Sequence, residues 1–121
     1  MNEFSDRRKE PRKKLMAFTS VYDKPKGVLL GYIRDLTLQG VLVIGEKKLD
    51  VNTQTILAFE LPGGLPGITT AQLTISARVA RCDQDEISQI YQTGFEFTDI
   101  KPEQTQIIKA LLKRYHFRHV L

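Results

Sequence analysis

Arg34-Asp35-Leu36-Thr37-Leu38-Gln39-Gly40 lies between two apolar runs, Gly27 to Ile33 before it and Val41 to Ile44 after it. Asp and Thr side chains bond nearby backbone and Gly tolerates positive φ, so the stretch reads as the connection between two strands. In the first run Val28, Leu30 and Tyr32 alternate with Leu29, Gly31 and Ile33, apolar on both faces. That pattern suits a strand enclosed in a barrel or sandwich. The second run is a short buried strand stopped by Gly45 and the charged Glu46-Lys47-Lys48.

The segments on either side extend the same architecture. Upstream, Arg12 to Tyr22 carries Met16, Phe18 and Val21, a strand composition, and Asp23-Lys24-Pro25-Lys26-Gly27 is a turn by its residues. Residues 1–12 are polar and charged with no apolar periodicity, which predicts a mobile arm ahead of a domain over 13–121. Downstream, Thr55 to Leu61 reads as a strand, and Pro62-Gly63-Gly64-Leu65-Pro66-Gly67 as a long loop. Leu73, Ile75, Ala77 and Val79 alternate with polar or small residues, and Asp83-Gln84-Asp85-Glu86 is expected to be the solvated turn that follows. Ile90 to Phe97 gives a last strand with Tyr91, Thr93, Phe95 and Phe97 on one face and Gly94 opposite, where a bulge or close approach is expected. From Pro102 the period becomes helical through Ile107, Ile108, Leu111, Leu112 and Tyr115, predicting one helix over about 102–118.

Taken together, Arg8 and Arg12 on the arm, then a strand, then Asp35-x-Thr37-x-x-Gly40, resemble the PilZ family of cyclic di-GMP receptors. The family pattern is RxxxR followed by (D/N)xSxxG, and Thr37 stands here where the family usually has Ser. The resemblance covers nearly the whole chain and implies an all-β fold, a six-stranded antiparallel β-barrel with a C-terminal helix. It also implies cyclic di-GMP as ligand, with Arg7, Arg8, Arg12, Asp35, Thr37 and Gly40 as the ligand-binding residues.

Each residue type has a chemical reason to serve. A guanidinium can fork onto phosphate, take guanine O6 and N7 as a bidentate pair, or stack on the base. Asp35 can accept from guanine N1–H and the exocyclic amine, and Thr37 keeps the hydroxyl that Ser would supply. Gly40 lets the backbone approach without a Cβ. Arg7 adds a guanidinium that could stack on a second, intercalated ligand molecule. The resemblance further implies an output in trans, through an unidentified downstream protein, in motility, exopolysaccharide, biofilm or virulence. Two other readings stay open: an adaptor with a fading site, and a small basic barrel for single-stranded nucleic acid, with Tyr22, Tyr32 and Tyr91 as its stacking candidates.

Composition bounds these readings. A chain of 121 residues with a hydrophobic fraction of 41% suits one folded domain. The net charge of +4 favours anionic partners, and the basic excess sits in two places, Arg7 to Lys14 with six basic residues and one acid, and Lys101 to Arg118 with five and one. With Cys82 alone, no internal disulfide or thiol metal cluster can form. No run of about eighteen apolar residues appears, so no membrane segment is expected, and a cytoplasmic location is the default. His116 and His119 read as helix-end residues opposite the dipole rather than a metal pair, and no catalytic or cofactor motif is found. The expectation is a receptor without cofactor, not an enzyme.

Overall fold

A computed structural model describes residues 14–15 and 19–116. The period-two run at Leu73 becomes the longest strand, and five others join it. In chain order the elements are β1 (Lys14–Leu15), β2 (Ser20–Asp23), β3 (Val28–Leu36), β4 (Gly40–Gly45), β5 (Gln54–Glu60), β6 (Gln72–Gln84) and β7 (Tyr91–Phe97). Helix α1 (Pro102–Arg114) and β8 (Tyr115–His116) follow. Strands β2-β3-β4-β7-β6-β5 close into an antiparallel barrel, with β5 returning to pair with β2 through Val21 and Phe59. Closure leaves the six barrel strands without a free edge to recruit another chain.

Inward-facing residues fill the barrel. Val21, Ile33, Leu57, Phe59, Leu73, Ile75 and Val79 are all buried to within 2% exposure, and Phe59 and Phe97 meet as tilted rings with centroids 6.4 Å apart. The alternation expected for β6 is met, since Leu73, Ile75, Ala77 and Val79 all point inward. On β7, Thr93, Phe95 and Phe97 are buried and Tyr91 is half-buried at the strand's start.

The helix joins the same core through Ile108 and Leu111, with Leu65 from the Pro-Gly loop beside them. Pro102 opens it, where a missing N–H costs nothing, and Gln104 Oε1 accepts from the Lys101 N–H at 2.7 Å. Two further bonds dock it: Gln104 Nε2 donates to the Thr74 carbonyl at 2.8 Å, and Arg114 donates to the Gly64 carbonyl at 3.0 Å. The helix ends at Arg114. Tyr115 and His116 are extended and pair in parallel with Lys14 and Leu15, an arrangement that no local pattern encodes.

Other expectations are corrected. The strand read through Arg12 to Tyr22 is represented among the described residues by β1 and β2, and β1 pairs with β8 rather than with a barrel strand. Met16 and Phe18 lie outside the described residues, as does the proposed arm. β3 is not apolar-packed on both faces, because Leu29 and Tyr32 are exposed. Asp83 and Gln84 belong to β6, paired with Gln92 and Tyr91 where that end of the hairpin is solvated and polar side chains cost nothing. The turn itself starts at Asp85, whose carboxylate accepts from the Ser88 hydroxyl and N–H, each at 2.7 Å; these bonds hold its pKa below the usual value.

Of three register shifts in the barrel wall, one lies between β2 and β3 at Val21 and Tyr22, and two lie on the face formed by β3, β4, β7 and β6. β3 carries a bulge between Ile33 and Asp35, and β6 carries one between Val79 and Arg81. Gly31, at φ +151°, packs so close to β4 that a Cβ would stand 2.0 Å from the Ile44 carbonyl oxygen, which excludes every side chain there.

Ile108 should be worth about 2–5 kcal/mol as a fully buried residue cut to Ala. Chemical denaturation of Ile108→Ala is expected to show that loss; an unchanged midpoint would mean that the helix is not part of the barrel core.

Candidate functional site

The stretch from Arg34 to Gly40 forms the bulged end of β3, a tight turn and the first residue of β4. Because of the bulge, Arg34 and Asp35 together oppose Leu42, so both are brought to the outer side of the wall while Ile33 and Leu36 point inward. Bulges re-aim side chains in this way and are common beside functional sites. Asp35 is half-buried, and its Oδ1 accepts from the Leu36 N–H at 3.0 Å.

The turn is fastened by Thr37. Its N–H donates to the Gly40 carbonyl at 2.9 Å, and its Oγ1 accepts from the N–H groups of Gln39 and Gly40 at 3.1 and 3.2 Å. The hydroxyl expected to meet a ligand is therefore engaged in shaping the loop. A serine hydroxyl would fill the same role, which explains on local grounds why either residue fits.

Gly40 has a reason other than ligand approach. A Cβ there would lie 2.2 Å from the Phe95 carbonyl oxygen, so β4 can pair with β7 at this position only without a side chain. The Phe97 N–H then donates to the Gln39 carbonyl at 2.8 Å, which ties the turn to β7 on its far side. Asp35, Thr37 and Gly40 are thus brought together on one braced turn. Arg7, Arg8 and Arg12 lie outside the described residues.

The chain enters the barrel beside this turn. Thr19 accepts from the Ile33 N–H at 2.9 Å and Ser20 pairs with Tyr32, so after β1 has paired with β8 the chain joins the barrel two residues along β3 from Asp35. On the other side, Glu96 pairs with Gly40 and with Arg78, whose guanidinium bonds the Glu96 carboxylate and also donates to Asn52 Oδ1 at 2.8 Å. Sequence reading missed this cross-strand set. Arg78 was visible only as a polar position in the β6 alternation, and nothing in the sequence links it to Glu96.

The PilZ domain family model matches residues 6–116, a span that includes both the arginines and the Asp35 turn. No curated protein matches the chain. Among solved structures, the inhibitor of motility MotI/DgrA of Bacillus subtilis is similar in fold, with a TM-score of 0.63 at 17% identity. The match covers 89% of this chain and 51% of that one, so the chain spans about half the length of that relative. A braced Asp-x-Thr-x-x-Gly turn on a closed six-stranded barrel, preceded by paired arginines and matched over nearly its whole length, assigns the chain to the PilZ domain family of cyclic di-GMP receptors.

Proposed function

We propose that this PilZ domain binds cyclic di-GMP between the arginine arm and the Asp35–Gly40 turn, and that binding regulates a partner protein in trans. The observation that carries the reading is the entry of the chain at Thr19, beside the strand end that bears Asp35. In sequence Arg12 precedes this entry point by seven residues, and Lys14 and Leu15 between them pair with β8. Arg8 and Arg12 then fork onto the phosphates or the O6 and N7 edge of a guanine, while Asp35 accepts from the opposite edge. Thr37 acts chiefly by holding the turn, and Arg7 stacks on a second ligand molecule where two are bound.

Charge complementarity favours an anionic ligand here, because Arg7 to Lys14, one of the two basic stretches of the chain, holds six basic residues and one acid. The ordering cost of the arm is met by charge-assisted contacts, and the surface that the ordered arm presents is the signal to the partner. Motility is one output of this kind. A single-stranded nucleic-acid role has less support, since Tyr22 and Tyr91 are half-buried and of the three candidates Tyr32 alone is exposed. No helix among the described residues is long and apolar enough to cross a membrane.

Isothermal titration calorimetry should show selective binding of cyclic di-GMP over GTP and single-stranded RNA. Hydrogen bonds to charged groups contribute about 1.5–3 kcal/mol, so Asp35→Ala and Arg8→Ala should each weaken binding by about ten- to a hundredfold. Absence of binding by the unaltered protein would leave the adaptor reading in its place. Thr37→Ser should retain binding, since the acceptor that fastens the turn survives; loss of binding in that variant would assign the Thr37 methyl a ligand contact.

A further inference from the structure

The bulges of β3 against β4 and of β6 against β7 fall on the same row of residues. Along that row Asp35 on β3 pairs with Leu42 on β4, Leu42 with Gly94 on β7, and Gly94 with Arg81 on β6. Each outer strand of this four-stranded face places two residues where its neighbour has one: Arg34 and Asp35 at one rim, Ala80 and Arg81 at the other. Between the rims the wall is low, since Leu42 is half-buried and Gly94 has no side chain. The result is a shallow saddle, three strand spacings or roughly 14 Å across, with an apolar floor and charged rims.

Arg81 is shaped to this saddle. Its side chain lies over Gly94, with Cγ and Nε at 3.2 and 3.3 Å from the position a Cβ would take. Its contact with Asp83 is at 4.0 Å, and the two side chains are 66% and 70% exposed, so that pairing restrains the guanidinium little. An arginine whose stem and Nε lie over a glycine, at the rim opposite a carboxylate, carries its guanidinium to the edge of the floor, where it can read a flat polar group.

We propose that Arg81 is a further specificity-determining residue of this domain, reading the O6 and N7 edge of one guanine of cyclic di-GMP while Asp35 reads the other guanine across the saddle. The proposal rests on the cyclic di-GMP reading above and adds a residue that the family pattern does not include. A two-base ligand engages both rims at once, and a ligand with one guanine replaced by adenine loses the Arg81 fork, because adenine offers a donor where guanine has O6. Gly94 serves by letting the side chain lie flat.

The test is calorimetric titration of the unaltered chain, Arg81→Ala and Gly94→Ala with cyclic di-GMP and with the mixed cyclic GMP–AMP dinucleotide, with thermal melts as the folding control. Arg81→Ala should bind cyclic di-GMP about tenfold more weakly and lose most of the preference over the mixed dinucleotide. Gly94→Ala, whose added methyl meets only the flexible Arg81 side chain, should move the same way by a smaller factor. If the unaltered chain binds and prefers cyclic di-GMP while Arg81→Ala matches it in both respects, the role given to Arg81 is overturned and the receptor reading stands. If the unaltered chain binds neither dinucleotide, the receptor reading fails and the inference falls with it.

Discussion

The contact between the Gly40 backbone and the Phe95 carbonyl is the constraint on which the rest of the site depends. With a Cβ excluded at 2.2 Å, β4 and β7 come together at the very start of β4, and their register is fixed from Gly40–Glu96 through Gly45–Tyr91. That register orders the outer wall. It sets Leu42 against Gly94 and so aligns the bulged end of β3 with the bulged segment of β6. It also holds the Thr37 turn between two strands rather than leaving it as a free hairpin tip, since Gln39 accepts from Phe97 on the far side.

A ligand site of the kind proposed gains from separating stiffness from charge. The floor of the wall is barrel, closed on itself and packed on Val41, Val43 and Phe95, all within 4% exposure. Charged side chains stand on the bulges, where the extra residue is released from the ladder and can point outward without disturbing the inward alternation. Backbone groups that shape the turn are bonded within the protein, so they are in place before a ligand arrives, and less binding energy is spent on ordering them. What remains to be ordered is the long side chains that face the ligand.

Much of this was legible in the sequence, for identifiable reasons. β6 announced itself because Leu73, Ile75, Ala77 and Val79 alternate without interruption, and the helix because Pro102 opens a 3.6-residue period ending in basic residues. The Asp35 turn was legible by residue type. The roles within it were less so: Thr37 and Gly40 looked like ligand groups, while their local contacts are the turn's own N–H groups and the β7 backbone. The bulge at Arg34 left no trace, since it depends on strand register, whereas Gly94, where a bulge or close approach was expected, lies opposite the bulge at Ala80. The exposure of Leu29 and Tyr32 was hidden because apolar composition does not say which face of β3 has a covering layer. Likewise the β1–β8 pair joins residues near opposite ends of the chain through two backbone positions each, which no periodicity can signal.

The most direct measurement is an amide proton–nitrogen correlation spectrum of the full chain titrated with cyclic di-GMP. Ligand held on the outer wall should shift the amides of Asp35 to Gly40 together with those around Leu42 and Gly94, and leave the helix from Pro102 to Arg114 unmoved. Shifts confined to the helix and the Pro66–Gly67 loop, with the Asp35 turn unchanged, would contradict a ligand site on this face of the barrel.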